Sequence, residues 1–221
     1  MMNKIFIGLL LCPAVYLHGA EPADSTLRLM EEITVAANRQ QDVKMNVPQQ
    51  VYILSRAQIE RANAQTAADL LTTDGLLTVQ KSQQGGGSPM IRGFESSRVL
   101  LVMDNVKMNN LIYRAGHLQN IITVDPSILE RVEVLYGPSS VSYGSDALGG
   151  VVAFRSKNPV LGDGGKTWFS GNAFMRYGSA NQETTGHVDF NIGGERFASL
   201  TSLSYSNFGD LRSGRRKNPC L

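Results

Sequence analysis

Ile128-Leu129-Glu130-Arg131-Val132-Glu133-Val134-Leu135-Tyr136-Gly137-Pro138-Ser139-Ser140-Val141-Ser142-Tyr143-Gly144-Ser145-Asp146-Ala147-Leu148-Gly149-Gly150-Val151-Val152 is the stretch that decides the fold. Val132 to Tyr136 reads as an apolar strand, and Gly137-Pro138 ends it. Val151 to Arg155 reads as a second strand. Between them Gly137, Gly144, Gly149 and Gly150 mark turns where backbone approaches closely, since only glycine lacks a Cβ. Taken singly, each is an ordinary turn glycine. Ser139 and Ser140 sit beside a turn, but no Gly-x-Ser-x-Gly elbow surrounds them.

Upstream, Val51 to Ile53 predicts a short strand. Ser55 then caps a helix through about Ala62, with Gln58 at the third helical position as in a capping box. Thr66 opens a second helix over Ala67 to Leu71, closed near Gly75. Leu76 to Ser82 resumes as strand, and Gly85 to Pro89 reads as a flexible loop. Met90 to Phe94 and Val99 to Met103 are further strand candidates. Asp125 caps a single turn around Pro126 to Leu129, with proline favoured at the first position. These short elements predict a mixed α+β domain from about residue 48 to 157.

Beyond Lys157 the pattern changes. Trp168 to Tyr177 places Phe169, Gly171, Ala173, Met175 and Tyr177 on one face. From Gly186 to Gly193, His187, Asp189 and Asn191 point one way, and Val188, Phe190 and Ile192 the other. Gly193-Gly194 signals a tight turn, and Phe197 to Phe208 reads as a longer strand. Strands of roughly ten residues with alternating polarity fit an outer-membrane barrel. They also fit a soluble antiparallel sheet with one wet face, and periodicity does not separate the two.

The chain's 221 residues correspond to one or two domains at ~150 residues each. Its 42% apolar content is enough to build a core. A net charge of +2 makes no case for a nucleic-acid partner. Met1 to Ala20 reads as a secretory signal: Lys4 is basic, Ile5 to Leu11 is apolar and extends to Leu17, and Glu21 begins a polar stretch. The run is too short to span a bilayer. Cys12 follows Leu11, which is not the small residue that a lipidation site wants, and Cys220 is left as the one thiol after cleavage. His18, His117 and His187 are scattered, so no metal site is predicted. Gly165-Lys166-Thr167 mimics the end of a phosphate loop, but Val160 stands where a glycine is required and a strand follows. No paired carboxylates emerge, and nothing argues for an enzyme.

Pro89-Met90-Ile91-Arg92-Gly93-Phe94, then Arg98-Val99-Leu100-Leu101-Val102-Met103-Asp104-Asn105-Val106, then the opening stretch form an ordered set. The set closely resembles the plug domain of TonB-dependent outer-membrane receptors. The family pattern is an Ile-Arg-Gly-Phe strand, a Val-Leu-Leu-Val-x-Asp-Gly-Val strand, and Ile-Glu-Arg-Ile-Glu-Val followed by Gly-Pro, Tyr-Gly and Gly-Gly-Val. The match covers residues 48 to 157, about half the chain. Asn105 departs from the usual glycine, but asparagine also tolerates a left-handed turn. The resemblance implies plug turns at Gly93, Gly137, Gly144, Gly149 and Gly150. It also implies that Arg92, Glu130, Arg131 and Glu133 make charge contacts with the barrel wall and within the plug.

Residues 21 to 47 are expected to be a mobile segment. Within it, Glu32-Ile33-Thr34-Val35-Ala36, in the run from 31 to 37, resembles a TonB box. The implied mechanism is strand addition to a TonB-type energy-coupling protein, with Ile33 and Val35 setting register. Asn109 to Asn120 is expected to form an apical plug loop similar to that of haem-receptor-like members. Tyr113, Arg114 and His117 are its ligand candidates, since tyrosine and histidine suit iron or haem; His117 bonding within its own loop is the plainer alternative. The family's substrates include ferric siderophores, haem, cobalamin and glycans. Glycan-type members carry an extra domain before the plug, for which residues 21 to 48 leave no room.

The expected function is therefore energised uptake of an iron complex, haem or a ferric siderophore, across the outer membrane. The complex would be cargo, with no resident cofactor. The alternative is a free periplasmic plug that binds without transporting. A receptor of this kind closes with roughly 22 strands, which at ~10 residues each need about 220 residues. Residues 166 to 221 hold about three, so the chain is expected to be an N-terminal fragment with most of the barrel lacking.

Overall fold

A computed structural model describes residues 34–35, 42–43, 49–81, 87–95, 98–108, 121, 123–162 and 166–209. The signal segment, most of the box, the 109–120 loop and the basic C-terminal end lie outside these residues. In chain order the strands are β1 (Thr34–Val35), β2 (Asp42–Val43) and β3 (Gln50–Ser55). Helices α1 (Arg56–Ala62) and α2 (Ala67–Thr72) follow. Next come β4 (Thr78–Lys81), β5 (Gly87–Met90), β6 (Val99–Met103), β7 (Val106–Lys107) and β8 (Leu129–Tyr136). Helix α3 (Ser140–Tyr143), β9 (Gly150–Ser156), β10 (Trp168–Gly178), β11 (Glu183–Gly193) and β12 (Ala198–Asn207) complete the order.

The plug-like part is built on a five-stranded sheet in the order β3-β8-β9-β6-β7. β6 and β9 run parallel, and the other neighbours are antiparallel. β6 (VLLVM) and β9 (GVVAF and onward) are unbroken apolar runs because both their faces are covered. On one face Leu54, Val132, Val134 and Phe154 pack against Ile59 of α1 and Leu70 and Leu71 of α2. On the other, Leu100, Leu135 and Val151 pack against Tyr143 and Ala147.

Local chemistry explains the helices. The Ser55 backbone N–H donates to Gln58 Oε1 at 2.9 Å, which fastens the first turn of α1. Asn63 ends that helix in the left-handed region at φ 44°. The Thr66 side chain accepts from the Asp69 N–H at the start of α2. Asp125 accepts from Ser127 N–H at 2.8 Å to start a single 3-10 turn, Pro126–Ile128.

One expected element is corrected. Met90 to Phe94 is not a strand, and part of the expected loop is: β5 occupies Gly87–Met90, paired antiparallel with β4. Ile91 and Phe94 exchange both backbone hydrogen bonds, at 2.9 and 2.8 Å. Arg92 and Gly93 between them take φ 50° and 84°, the two positive values of a two-residue hairpin turn. Gly137 and Gly144 also take positive φ, 100° and 99°. Gly149 and Gly150 serve close approach: a Cβ on Gly149 would stand 2.3 Å from the Cβ of Phe94, and one on Gly150 2.5 Å from the Leu135 carbonyl oxygen.

The second sheet is an antiparallel meander, β10-β11-β12, with strands of 11, 11 and 10 residues. Its β11–β12 turn is closed by Gly194 N–H donating to the Phe197 carbonyl at 2.7 Å. No helix among the described residues is long and apolar enough to cross a membrane.

Candidate functional site

The two sheets meet across a polar interface. On β11, Glu183, Thr185, His187, Asp189 and Asn191 are buried, with Glu183 0% and His187 2% exposed. The alternate residues Val188, Phe190 and Ile192 are exposed, Val188 at 50%. Register places Ala173 and Leu203 either side of Val188, and Phe169 beside Ile192. Leu203 is 74% and Met175 83% exposed. A soluble sheet buries its apolar face, and this one buries the other. An apolar surrounding on the outer side makes that arrangement favourable, as it is for barrel strands whose polar residues face the lumen. Aromatic residues sit toward both ends of the outer face: Phe169 and Phe197 near one, Tyr177 and Tyr205 near the other. Phe169 and Tyr177 are eight residues apart on β10, about 26 Å along the strand at ~3.3 Å per residue, or about 20 Å of height at a barrel tilt of ~40°. That is of the order of the ~25 Å apolar band between aromatic girdles.

The polar inner face grips the plug-like part at separate points. Arg176 Nη2 pairs with Glu183 Oε1 at 2.7 Å, and its Nη1 donates to the Ala64 carbonyl, just past α1, at 2.9 Å. Asn181 Nδ2 donates to Gln65 Oε1 at 3.2 Å. Asn191 holds the Val160 backbone from both sides, at 2.9 and 3.0 Å. Lys157 Nζ pairs with Asp189 Oδ2 at 2.9 Å. His187 lies between Asp189 Oδ2, 3.0 Å from its Nε2, and Ser204 Oγ, 2.6 Å from its Nδ1. Ser204 in turn donates to Asp125 of the 3-10 turn. Burial works against the charge on Asp125, but hydrogen bonds from Ser204 and Ser127 and the nearby His187 hold its carboxyl below the usual carboxylate range. This set contains the members of a hydrolytic triad without its chemistry, because the Ser204 proton goes to a carboxylate rather than to the imidazole. Between these points the parts stand apart. A cavity of about 590 Å³ lies between α1, the Pro126–Ser127 turn and β10, lined by Arg56, Asn63, Asn172, Phe174 and Arg176 among others.

The charged residues singled out by sequence lie elsewhere. Arg92 donates to Gln50 Oε1 at 2.6 Å and stacks over the Tyr136 ring at 5.4 Å. Arg131 pairs with the fully buried Glu133 at 2.7 Å, and Glu130 is exposed. These pairings are internal to the plug-like part. The contacts to the three strands come instead from Ala64, Gln65, Asp125, Lys157 and Val160, none of which the sequence marks as a contact to the wall. Of the box, Thr34 and Val35 are described, and they pair antiparallel with Val43 and Asp42. Glu32, Ile33, Ala36, Tyr113, Arg114 and His117 lie outside the described residues.

Comparison with known proteins agrees with this geometry. Residues 43–151 match the family model described as TonB-dependent Receptor Plug Domain. The chain is 33% identical over 156 residues to the vitamin B12 transporter BtuB of Vibrio vulnificus strain YJ016, covering 69% of this chain and 24% of that protein. Against the protein of the same name from strain CMCP6 it is 35% identical over 153 residues, covering 67% and 23%. The chain thus spans about a quarter of the length of these relatives. Among solved structures it superposes on the pyoverdine outer membrane receptor FpvA of Pseudomonas aeruginosa PAO1 with a TM-score of 0.64 at 20% identity, covering 78% of this chain and 24% of that one. The hemophore receptor HasR of Serratia marcescens gives 0.59 at 23% identity, covering 75% and 25%. At these identities the structures share the fold.

Proposed function

Because the chain belongs to the TonB-dependent receptor family, we propose that it works in the outer membrane as the plug and first wall strands of a receptor for energised uptake of a metal chelate. The observation that carries this reading is the inverted second sheet, polar toward the plug and apolar outward. A stand-alone periplasmic binding module, the rival reading, has no use for three such strands. Fractionation tests the choice: recovery with the outer membrane supports the receptor, and recovery with soluble periplasmic protein overturns it.

Energy coupling is assigned to Glu32-Ile33-Thr34-Val35-Ala36. The extended backbone of Thr34 and Val35, already paired as a strand, supports recognition by strand addition to a TonB-type partner. Proline at Val35 removes a backbone donor from that pairing. Val35→Pro is expected to abolish energised uptake while ligand binding persists, and unchanged uptake would sink the assignment.

The ligand proposed from the sequence is an iron complex, haem or a ferric siderophore, met by Tyr113, Arg114 and His117. Cobalamin is a second reading, favoured by the vitamin B12 transporters among the relatives. Parallel binding assays with haem, a ferric siderophore and cobalamin separate them. Arg131, still partly exposed beside the buried Glu133, is proposed to meet the barrel wall as well.

A further inference from the structure

We propose that His187 is a proton-operated latch that decides, through the single hydroxyl proton of Ser204, whether the Asp125 turn of the plug is tied to strand β12. This goes beyond the uptake reading and stands whether or not the chain transports anything.

The argument is an accounting of protons. A serine hydroxyl has one proton to give. Here Ser204 gives it to Asp125 Oδ2. The contact of 2.6 Å between Ser204 Oγ and His187 Nδ1 then requires the ring to donate. At the other nitrogen, Nε2 faces Asp189 Oδ2 at 3.0 Å, an ionised carboxylate that only accepts. Both ring nitrogens therefore carry protons in this arrangement. The charged groups around the ring balance: His187 and Lys157 against Asp189 and Asp125, with Lys157 on Asp189 at 2.9 Å and Asp125 3.8 Å from Nδ1. Phe174 of β10 stacks on the ring at 5.1 Å between centroids and fixes its plane. The other charges of the inner face, Arg176 and Glu183, are paired with each other.

Removal of one ring proton has one inexpensive outcome. Nε2–H stays on Asp189, since a carboxylate cannot donate to a bare nitrogen. Nδ1 becomes an acceptor, and the hydroxyl beside it is Ser204. Rotation of that hydroxyl moves its proton from Asp125 to His187, and the tie between turn and strand is lost. The cluster is also left with one uncompensated negative charge beside a buried ring, which loosens it further. Pro126 and Ser127 of the released turn border the cavity along β10, so opening the latch widens that space.

Hydrogen exchange of the 123–129 segment, corrected for the intrinsic rate and measured on the full chain in detergent micelles, reads the latch. Protection is expected to fall as pH rises, by up to about tenfold per pH unit, the ceiling for one linked proton. His187→Gln and Ser204→Ala are expected to make the profile flat. A flat wild-type profile overturns the proposal, and so does a pH-dependent His187→Gln. Protection of 150–156 reports whether each variant has folded. Where one has not, the wild-type midpoint must coincide with a ring titration seen by 15N NMR of the histidines, and a mismatch overturns the latch.

Discussion

Strands β9 and β11, separated in sequence only by β10, are opposites in burial. β9 puts Val151, Val152, Ala153 and Phe154 out of contact with solvent, on both faces of its sheet. β11 buries Glu183, His187 and Asp189, and leaves Val188, Phe190 and Ile192 outside. What differs is the medium on the far side: in the plug each face meets another packed layer, whereas the outer face of β10–β12 meets none among the described residues. The contrast teaches that alternation specifies two faces, and that only the partner on each face says which one is inside. It also explains why the joint between the parts is polar. A lumen-facing wall holds its plug by hydrogen bonds and ion pairs at discrete points, which separate more readily than a continuous apolar core.

The comparison breaks most easily at β9. Phe154→Ala removes a fully buried ring and is expected to cost about 3–5 kcal/mol of unfolding free energy in denaturant titrations of the chain in micelles. A cost below about 1 kcal/mol would mean that the five-stranded sheet is not the packed core described here. The corresponding test on β11 is Val188→Arg. On a water-facing position this change is nearly neutral. On a lipid-facing position near the middle of the band it is expected to cost about 2–4 kcal/mol and to reduce recovery in the membrane fraction. Unchanged membrane recovery and stability would return the second sheet to the soluble reading.

Much of this contrast was legible from residues. Ser55 with Gln58 announces α1, Asp125-Pro126 announces the 3-10 turn, and Gly186 to Gly193 displays two faces. The direction of burial was not legible, because the pattern of His187, Asp189 and Asn191 is the same whether those residues look into water or into a plug. The sequence places Arg92-Gly93 within a strand because the apolar residues Ile91 and Phe94 flank it. Arginine at positive φ is uncommon, and its turn follows from the reciprocal bonds of its neighbours. The plug–wall contacts were hidden for a different reason. Arg176 takes the Ala64 carbonyl and Asn191 takes the Val160 backbone, and every residue carries such groups. Arg131 and Glu133 stood out as charges within an apolar strand, yet their mutual pair is internal to the plug.

The smallest expected effect lies at the joint itself and has a definite sign. Asp125 has its carboxyl held below the ordinary value of 3.8 in the folded chain, despite burial, chiefly by Ser204 and Ser127 with help from His187. A group depressed in this way contributes stability that is fully present above its unfolded value and lost as pH falls through its folded one. Acid should therefore loosen the Asp125 turn only as pH falls below the ordinary aspartate range, about pH 4. Asp125→Asn keeps an oxygen to accept from the Ser127 N–H and so preserves the turn, but it has no charge to lose. Hydrogen exchange of 123–129 measured from about pH 5 down to about pH 3, across the ordinary range of an aspartate, should show protection falling in the wild type and nearly level in Asp125→Asn. Matching acid profiles would mean that the plug is held at this point by the shape of the turn alone, and the polar joint would then rest on Arg176, Lys157 and Asn191.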